Sequence, residues 1–348
     1  MKKMLFFAAV MAAAVVACNK PSNDNPMLEN EQMELALTNV MTKGYVETAE
    51  FIDSPYDKLH GQTPDGKSER ALMLSSYLTP QSGAPANYFV GEAFSKNANG
   101  ESDNLWHHNP KVYWPMGGQL AFLAYSVNIP FKGTAINWDE ANAASKLVLD
   151  VSEEYLQDDI LYSSVAAETI PAAGSGEGAT PKGCVAMLFK HAQAWIQFQI
   201  KVGEASMNSI VKLKDITIQD LYTRGELTIV GGADATSSWN FRKETAVDKA
   251  MDDTYNVTAA ANYISDAVQY MDMLVPAQKQ TKFLMHYTLE GQDTVLEYEY
   301  DLATADWQAG KKYIYEITFN PYEITVKPTV TAFDVVNPGA TGFPSTLE

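Results

Sequence analysis

Apolar and polar residues alternate with a period of two along much of the chain. In "HAQAWIQFQIKV", residues 191–202, Ala192, Ala194, Ile196, Phe198, Ile200 and Val202 share one face. Gln193, Trp195, Gln197, Gln199 and Lys201 share the other. A helix would scatter both sets, so the pattern predicts a half-buried strand with one wet face. "KYIYEITF", residues 312–319, aligns Tyr313, Tyr315, Ile317 and Phe319 in the same way. Residues 111–127 read as strand, turn and strand, with Pro115, Gly117 and Gly118 at the turn. Residues 211–231 repeat that layout, with a turn near Arg224 and Gly225. Residues 322–333 are extended, and Pro328 confines them to a sheet edge or a bend. Helical signals are few. Residues 137–147 predict a short helix capped by Asn137 or Asp139, and 153–164 fit either class. Many short strands with frequent turns predict an all-β chain of β-sandwiches with Greek-key-like connections.

The N-terminus breaks this pattern. Lys2 and Lys3 precede an unbroken apolar run, residues 4–17. That run suits the core of a signal peptide rather than a membrane-spanning helix, which needs about 20 residues. It closes as Val15, Val16, Ala17, Cys18, which resembles the lipobox of bacterial lipoproteins. The resemblance implies cleavage after residue 17 and diacylation of the Cys18 thiol. Residues 18–32 are then a polar tether. Further along, residues 170–183 hold four Gly and two Pro without apolar period, marking a boundary or long loop. Their "GSGEG" lacks the Lys-Ser/Thr pair and the strand-to-helix setting of a phosphate loop. The chain therefore divides into residues 1–17, 18–32, an N-terminal β-sandwich domain over 33–180 and a C-terminal one over 181–348.

Charge and chemistry narrow the function. Losing Lys2 and Lys3 with the signal takes the formal charge from −18 to −20. No basic stripe exists to neutralise phosphates, so nucleic acid is not a partner. Cys184 is the only cysteine besides Cys18, which excludes a disulfide-stapled scaffold. The five histidines, His60, His107, His108, His191 and His286, lack metal-ligand spacing, so no metal or other cofactor is expected. There is no Gly-x-Ser-x-Gly elbow, and no other catalytic constellation emerges, so an enzyme is not expected.

Several local patterns then recur in order: "YWP" (113–115), "LAFLAYS" (120–126), "FKHAQA" (189–194), "ITIQDLYTRGELT" (216–228), "LVPAQ" (274–278) and "WQAGKKYIYEITF" (307–319). Together with the lipobox they resemble the fimbrillin family, subunits of the type V pili of Gram-negative anaerobes. The resemblance implies two tandem transthyretin-like β-sandwich domains behind a lipoprotein signal peptide. It implies an outer-membrane lipoprotein at the cell surface, and a trypsin-like, usually Arg-specific, surface protease that removes an N-terminal strand. The vacated groove then takes a C-terminal strand of another fimbrial subunit, of the same or a related kind. In this chain the candidate removable strand is residues 31–40, with Met33, Leu35 and Leu37 on its apolar face. The candidate processing sites are Lys43 before Gly44, which fits the position, or Arg70 before Ala71, which fits the specificity. The candidate donor strand is residues 329–336, with Val330, Phe333 and Val335; its other reading is an internal edge strand of the second domain.

Two other readings stand beside this one. If neither site is cut, the chain is a pilus anchor or a minor accessory subunit rather than a stalk subunit. Alternatively, it is a glycan-binding surface lipoprotein, with Trp106, Trp195 or Trp239 stacking on sugars. An adhesive ligand on a host or bacterial surface is compatible with either.

Overall fold

A computed structural model describes residues 33–42, 72–96, 105–125, 137–139, 144–152, 160–170, 172, 182–232, 235–242, 246–251 and 263–332. The signal segment, Cys18, both processing sites, Phe333 and Val335 lie outside these residues. The described chain is all-β, with one short 3-10 turn at Ala205–Met207. No helix among these residues is long and apolar enough to cross a membrane.

The first strands close on themselves. β1 (Ala36–Thr42), β2 (Leu72–Thr79), β3 (Ala86–Lys96), β4 (Trp106–His108) and β5 (Gln119–Tyr125) join β8 (Leu161–Glu168) and β9 (Cys184–His191). They pair in the order β1-β4-β3-β2-β5-β8-β9, and β9 returns to β1 to complete a barrel. A second sheet holds β6 (Asn137–Asp139), β7 (Ala144–Val151), β12 (Gly225–Val230) and β13 (Thr236–Phe241), ordered β13-β12-β7-β6. Leu123 and Tyr125 of β5 pack with Leu147 and Leu149 of β7 and Leu227 and Ile229 of β12. These residues form one core between barrel wall and sheet.

A sandwich makes up the other core. β15 (Gln269–Pro276), β10 (Gln193–Val202), β18 (Lys311–Phe319) and β19 (Ile324–Ala332) form one sheet, in that order. β14 (Ala246–Met251), β11 (Val211–Tyr222), β16 (Gln278–Leu289) and β17 (Leu296–Trp307) form the other. Ile196, Phe198 and Ile200 of β10, Tyr315 and Ile317 of β18, Ile216 and Ile218 of β11, and Phe283 and Met285 of β16 meet between them. The Phe198 ring stacks on Tyr315 at 5.4 Å and meets Phe283 edge-on at 5.0 Å.

Four expectations are corrected. Residues 137–139 and 144–147 lie in strands, not a helix; Leu147, Val148 and Leu149 pair with β12 and give the segment a two-residue period. The segment 211–231 is no hairpin. β12 is already flanked by β7 and β13, so β11 goes to the sandwich and the chain crosses between cores at Thr223 and Arg224. Before β5, the anticipated strand shrinks to an isolated bridge at Tyr113. The turn after it is as read, and Gly118 has φ +94, where a Cβ would strike Thr79 O at 2.5 Å. Finally, the second face of β10 is wet only toward its end, where Gln199 is half-buried and Lys201 exposed. Gln193, Trp195 and Gln197 are buried between β15 and β18, and their polar atoms are satisfied internally. Residues 170–183 connect β8 to β9, which are neighbours in the barrel, and the chain passes to the second core at Ala192.

Candidate functional site

The N-terminal strand is held unequally on its two sides. β1 runs parallel to β9, with Ala36 opposite Cys184, Leu37 opposite Val185, Thr38 opposite Ala186, and Met41 and Thr42 opposite Leu188 and Phe189. On its other side a single pair, Leu37 with Trp106, joins it to β4. Parallel pairing is slightly less stable per residue than antiparallel pairing. β1 is thus laced firmly along one edge and at one point on the other.

Side chains supply the rest of the hold. Leu35 and Leu37 have no exposed surface, Ala36 is buried, and Met33 is half-buried. The two leucines contribute about 1.5–3 kcal/mol each by burial. Ahead of them Leu35 N–H donates to Val112 O at 2.9 Å, and Glu34 bridges to Tyr113. Lys111 Nζ donates to Glu34 Oε2 at 2.6 Å, and His107 Nδ1 lies 2.9 Å from Glu34 Oε1. Trp114 locks this arm, its indole N–H donating to Gly183 O at 2.8 Å and its ring meeting Phe122 edge-on. The acidic head of β1 and its apolar body therefore sit in a preformed slot between β4 and β9.

Of the residues singled out in the sequence, the structure brings Leu35 and Leu37 to this slot. Lys43, Gly44, Arg70 and Ala71 lie outside the described residues, but all four fall in 43–71, the covalent connection from β1 to β2. Val330 sits on β19, an edge strand paired only with β18, and is 56% exposed. The slot's polar clamp, Glu34, His107 and Lys111, was missed. The sequence shows an acid immediately before the first buried leucine, but nothing in it brings residues 107 and 111 there.

The aromatic platforms are mostly spent. Trp106 and Trp195 are buried. Trp239 is half-buried, stacks on Phe241, and donates its indole N–H to Ala192 O at 2.8 Å. Around Trp195 a buried polar cluster forms on β10. Trp195 Nε1 and Gln197 Nε2 donate to Asp272 Oδ1 at 2.6 and 2.8 Å, and Lys312 Nζ stands 3.6 Å over the Trp195 ring. Burial pushes the Asp272 carboxyl up, against the pull of Lys312 and the two donors. Burial also lowers Lys312 to about 8, against the attraction of Asp272. Among the described residues no group of three or more His, Cys, Asp or Glu could hold a metal ion.

The chain belongs to the fimbrillin-like family, whose model matches residues 67–332. That family is structural rather than enzymatic. Among solved structures, a fimbrial protein of Bacteroides vulgatus is similar at 14% identity and TM-score 0.55, over 86% of this chain and 99% of that one. This likeness shows a shared fold. A proposed cell adhesion protein of Bacteroides uniformis is similar at 16% identity and TM-score 0.47, over 87% and 99% of the two chains. A fimbrial assembly protein of Parabacteroides distasonis is similar at 11% identity and TM-score 0.44, over 87% and 98%. The comparison with curated protein sequences gives no match.

Proposed function

We propose that this protein is a structural subunit of a cell-surface fimbria, exported as a lipoprotein on Cys18 and assembled by proteolysis-triggered strand exchange. The observation that carries this reading is β1, buried through Leu35 and Leu37 yet tied to β4 by one residue pair. A surface protease acting in 43–71, at Lys43 or Arg70, severs the only covalent link between β1 and the barrel. Departure of β1 uncovers an apolar slot and the edges of β4 and β9, which are costly in water. A C-terminal strand of another subunit then restores both the backbone pairing and the apolar contacts, which is β-augmentation. The two cores serve as the subunit's two domains. Family membership supports the subunit role; the lipid anchor, protease and exchange are inferred from the sequence and from β1.

The test is the N-terminus and intact mass of the surface-exposed protein. A new N-terminus at Gly44 or Ala71, found in SDS-resistant ladders, is the expected result. Diacylated Cys18 on every molecule, with no ladder, overturns exchange and leaves an uncleaved anchor subunit.

A further inference from the structure

The slot holds more than an apolar strand: its entrance binds a carboxylate. Glu34 heads the buried Leu35-Ala36-Leu37 segment, and its two oxygens are divided between His107 at 2.9 Å and Lys111 at 2.6 Å. Neither basic group belongs to β1. His107 is on β4 and is 3% exposed, and Lys111 follows in the arm that Trp114 pins to Gly183. Both stay with the barrel when the strand leaves. Removing a carboxylate from a largely buried imidazole and a lysine is costly, and a replacement strand without an acid at this register does not recover that loss.

The backbone fixes that register. Leu35 N–H on Val112 O, the Glu34–Tyr113 bridge and the parallel pairing of Ala36 with Cys184 allow one strand direction and place one residue at the clamp. A one-residue slip would turn every side chain to the opposite face. The slot therefore selects the order acid, apolar, small, apolar. In the C-terminal part of this chain, residues 320–348, that order occurs once, as Glu323-Ile324-Thr325-Val326. The same order at Asp215–Ile218, Glu226–Ile229 and Glu316–Phe319 lies in β11, β12 and β18, each paired on both sides. Ile324–Val326 opens β19, which is paired on one side only.

We infer that His107 and Lys111 are specificity-determining residues that select an incoming strand by its leading carboxylate, and that a second copy of this chain supplies it through Glu323–Val326. This rests on the strand-exchange reading above. It assigns a segment a few residues N-terminal to the donor expected around Val330, Phe333 and Val335.

The test uses the full chain with a specific protease site placed between residues 43 and 70, cut after folding. Labelled peptides of residues 33–42 and 321–332 are offered with their E34Q and E323Q forms, and anisotropy gives each affinity. Both native peptides are expected to enter, with the Gln forms weaker by about tenfold or more, as loss of a charge-assisted hydrogen bond implies. In a Lys111→Met acceptor that ratio narrows. Equal affinity of acid and amide peptides overturns selection by the carboxylate while leaving exchange intact. Entry of 33–42 but not 321–332 overturns the second copy as donor. If β1 departs and no peptide enters, the exchange reading itself fails.

Discussion

Single residues decide how this chain handles polar groups on surfaces the alternation marks as wet. Asp272 is 2% exposed, yet it accepts from Trp195 and Gln197 and attracts Lys312 across β10. Removing one member of such a buried group costs more than replacing two, because the survivor keeps its desolvation penalty. Asp272→Ala is therefore expected to destabilise the protein by about 3–5 kcal/mol. The double variant Asp272→Ala/Lys312→Met should recover a substantial part of that loss. Urea unfolding of the two variants measures the difference; equal losses would mean the Lys312 charge carries none of the penalty. His286 behaves oppositely because it lies near the surface. Its Nδ1 is 2.5 Å from Asp215 Oδ1 and its Nε2 is 3.3 Å from Glu297 Oε2. The Asp215 hydrogen bond raises its pKa above 6.5 against desolvation, with the charges of Asp215 and Glu297 adding to the rise. A raised folded pKa stabilises fully below the unfolded value and loses that contribution as pH rises through the folded one. His286→Gln should thus lower Tm at about pH 5.5 and become nearly neutral by about pH 9.

At the scale of elements, β1 is the strand on which the proposed exchange turns, and Leu37 is a fully buried anchor paired with both neighbours. Leu37→Ala removes a fully buried side chain and should weaken docking by about 2–5 kcal/mol. Limited trypsin digestion should then cut within 43–71 faster and release β1 more completely than in the parent. An unchanged cleavage rate and a retained fragment would show that β1 is held elsewhere. Burial of Leu35 and Leu37 was legible because residues two apart on a strand share a face; burial of Ala36 between them was not. The all-β character was legible for the same reason. Three further things were not. Alternation reports the contrast between two faces, so all of β10 read as half-wet when its polar face is covered and hydrogen-bonded internally from Gln193 to Gln197 and open only near Lys201. Turn residues report where a strand stops, not where the next one goes, so the crossing at Thr223 and Arg224 read as a hairpin. The clamp joins Glu34 to His107 and Lys111 across 73 and 77 residues, a distance over which local pattern carries no information.

At the scale of the molecule, the two cores share more than a linker. Chain from the second half returns as β12 and β13 to complete the sheet begun by β7, and residues 34–348 form one compact unit. One hydrogen bond, Ile160 to Gln193, spans the junction, and others fix the chain on either side of it. Gln193 Oε1 accepts from Ile160 N–H at 2.9 Å, Gly310 N–H donates to Gln193 O at 2.9 Å, and Trp239 Nε1 donates to Ala192 O at 2.8 Å. Lys190 Nζ reaches Ala235 O at 2.7 Å. Because β12 follows β11 of the sandwich and completes the other core, loosening one core is expected to loosen the other. The consequence is measurable. Phe198→Ala hollows the sandwich core and should cost about 3–5 kcal/mol. In calorimetry the uncut protein should melt in one transition, and the substitution should move all of it to lower temperature. In a variant with Trp195 and Trp307 replaced by Phe, the remaining tryptophan fluorescence, to which Trp106, Trp114 and Trp239 of the barrel side contribute, should shift by the same amount as far-UV circular dichroism. Two transitions, with only the sandwich one displaced, would show cores that unfold independently in spite of the shared hairpin.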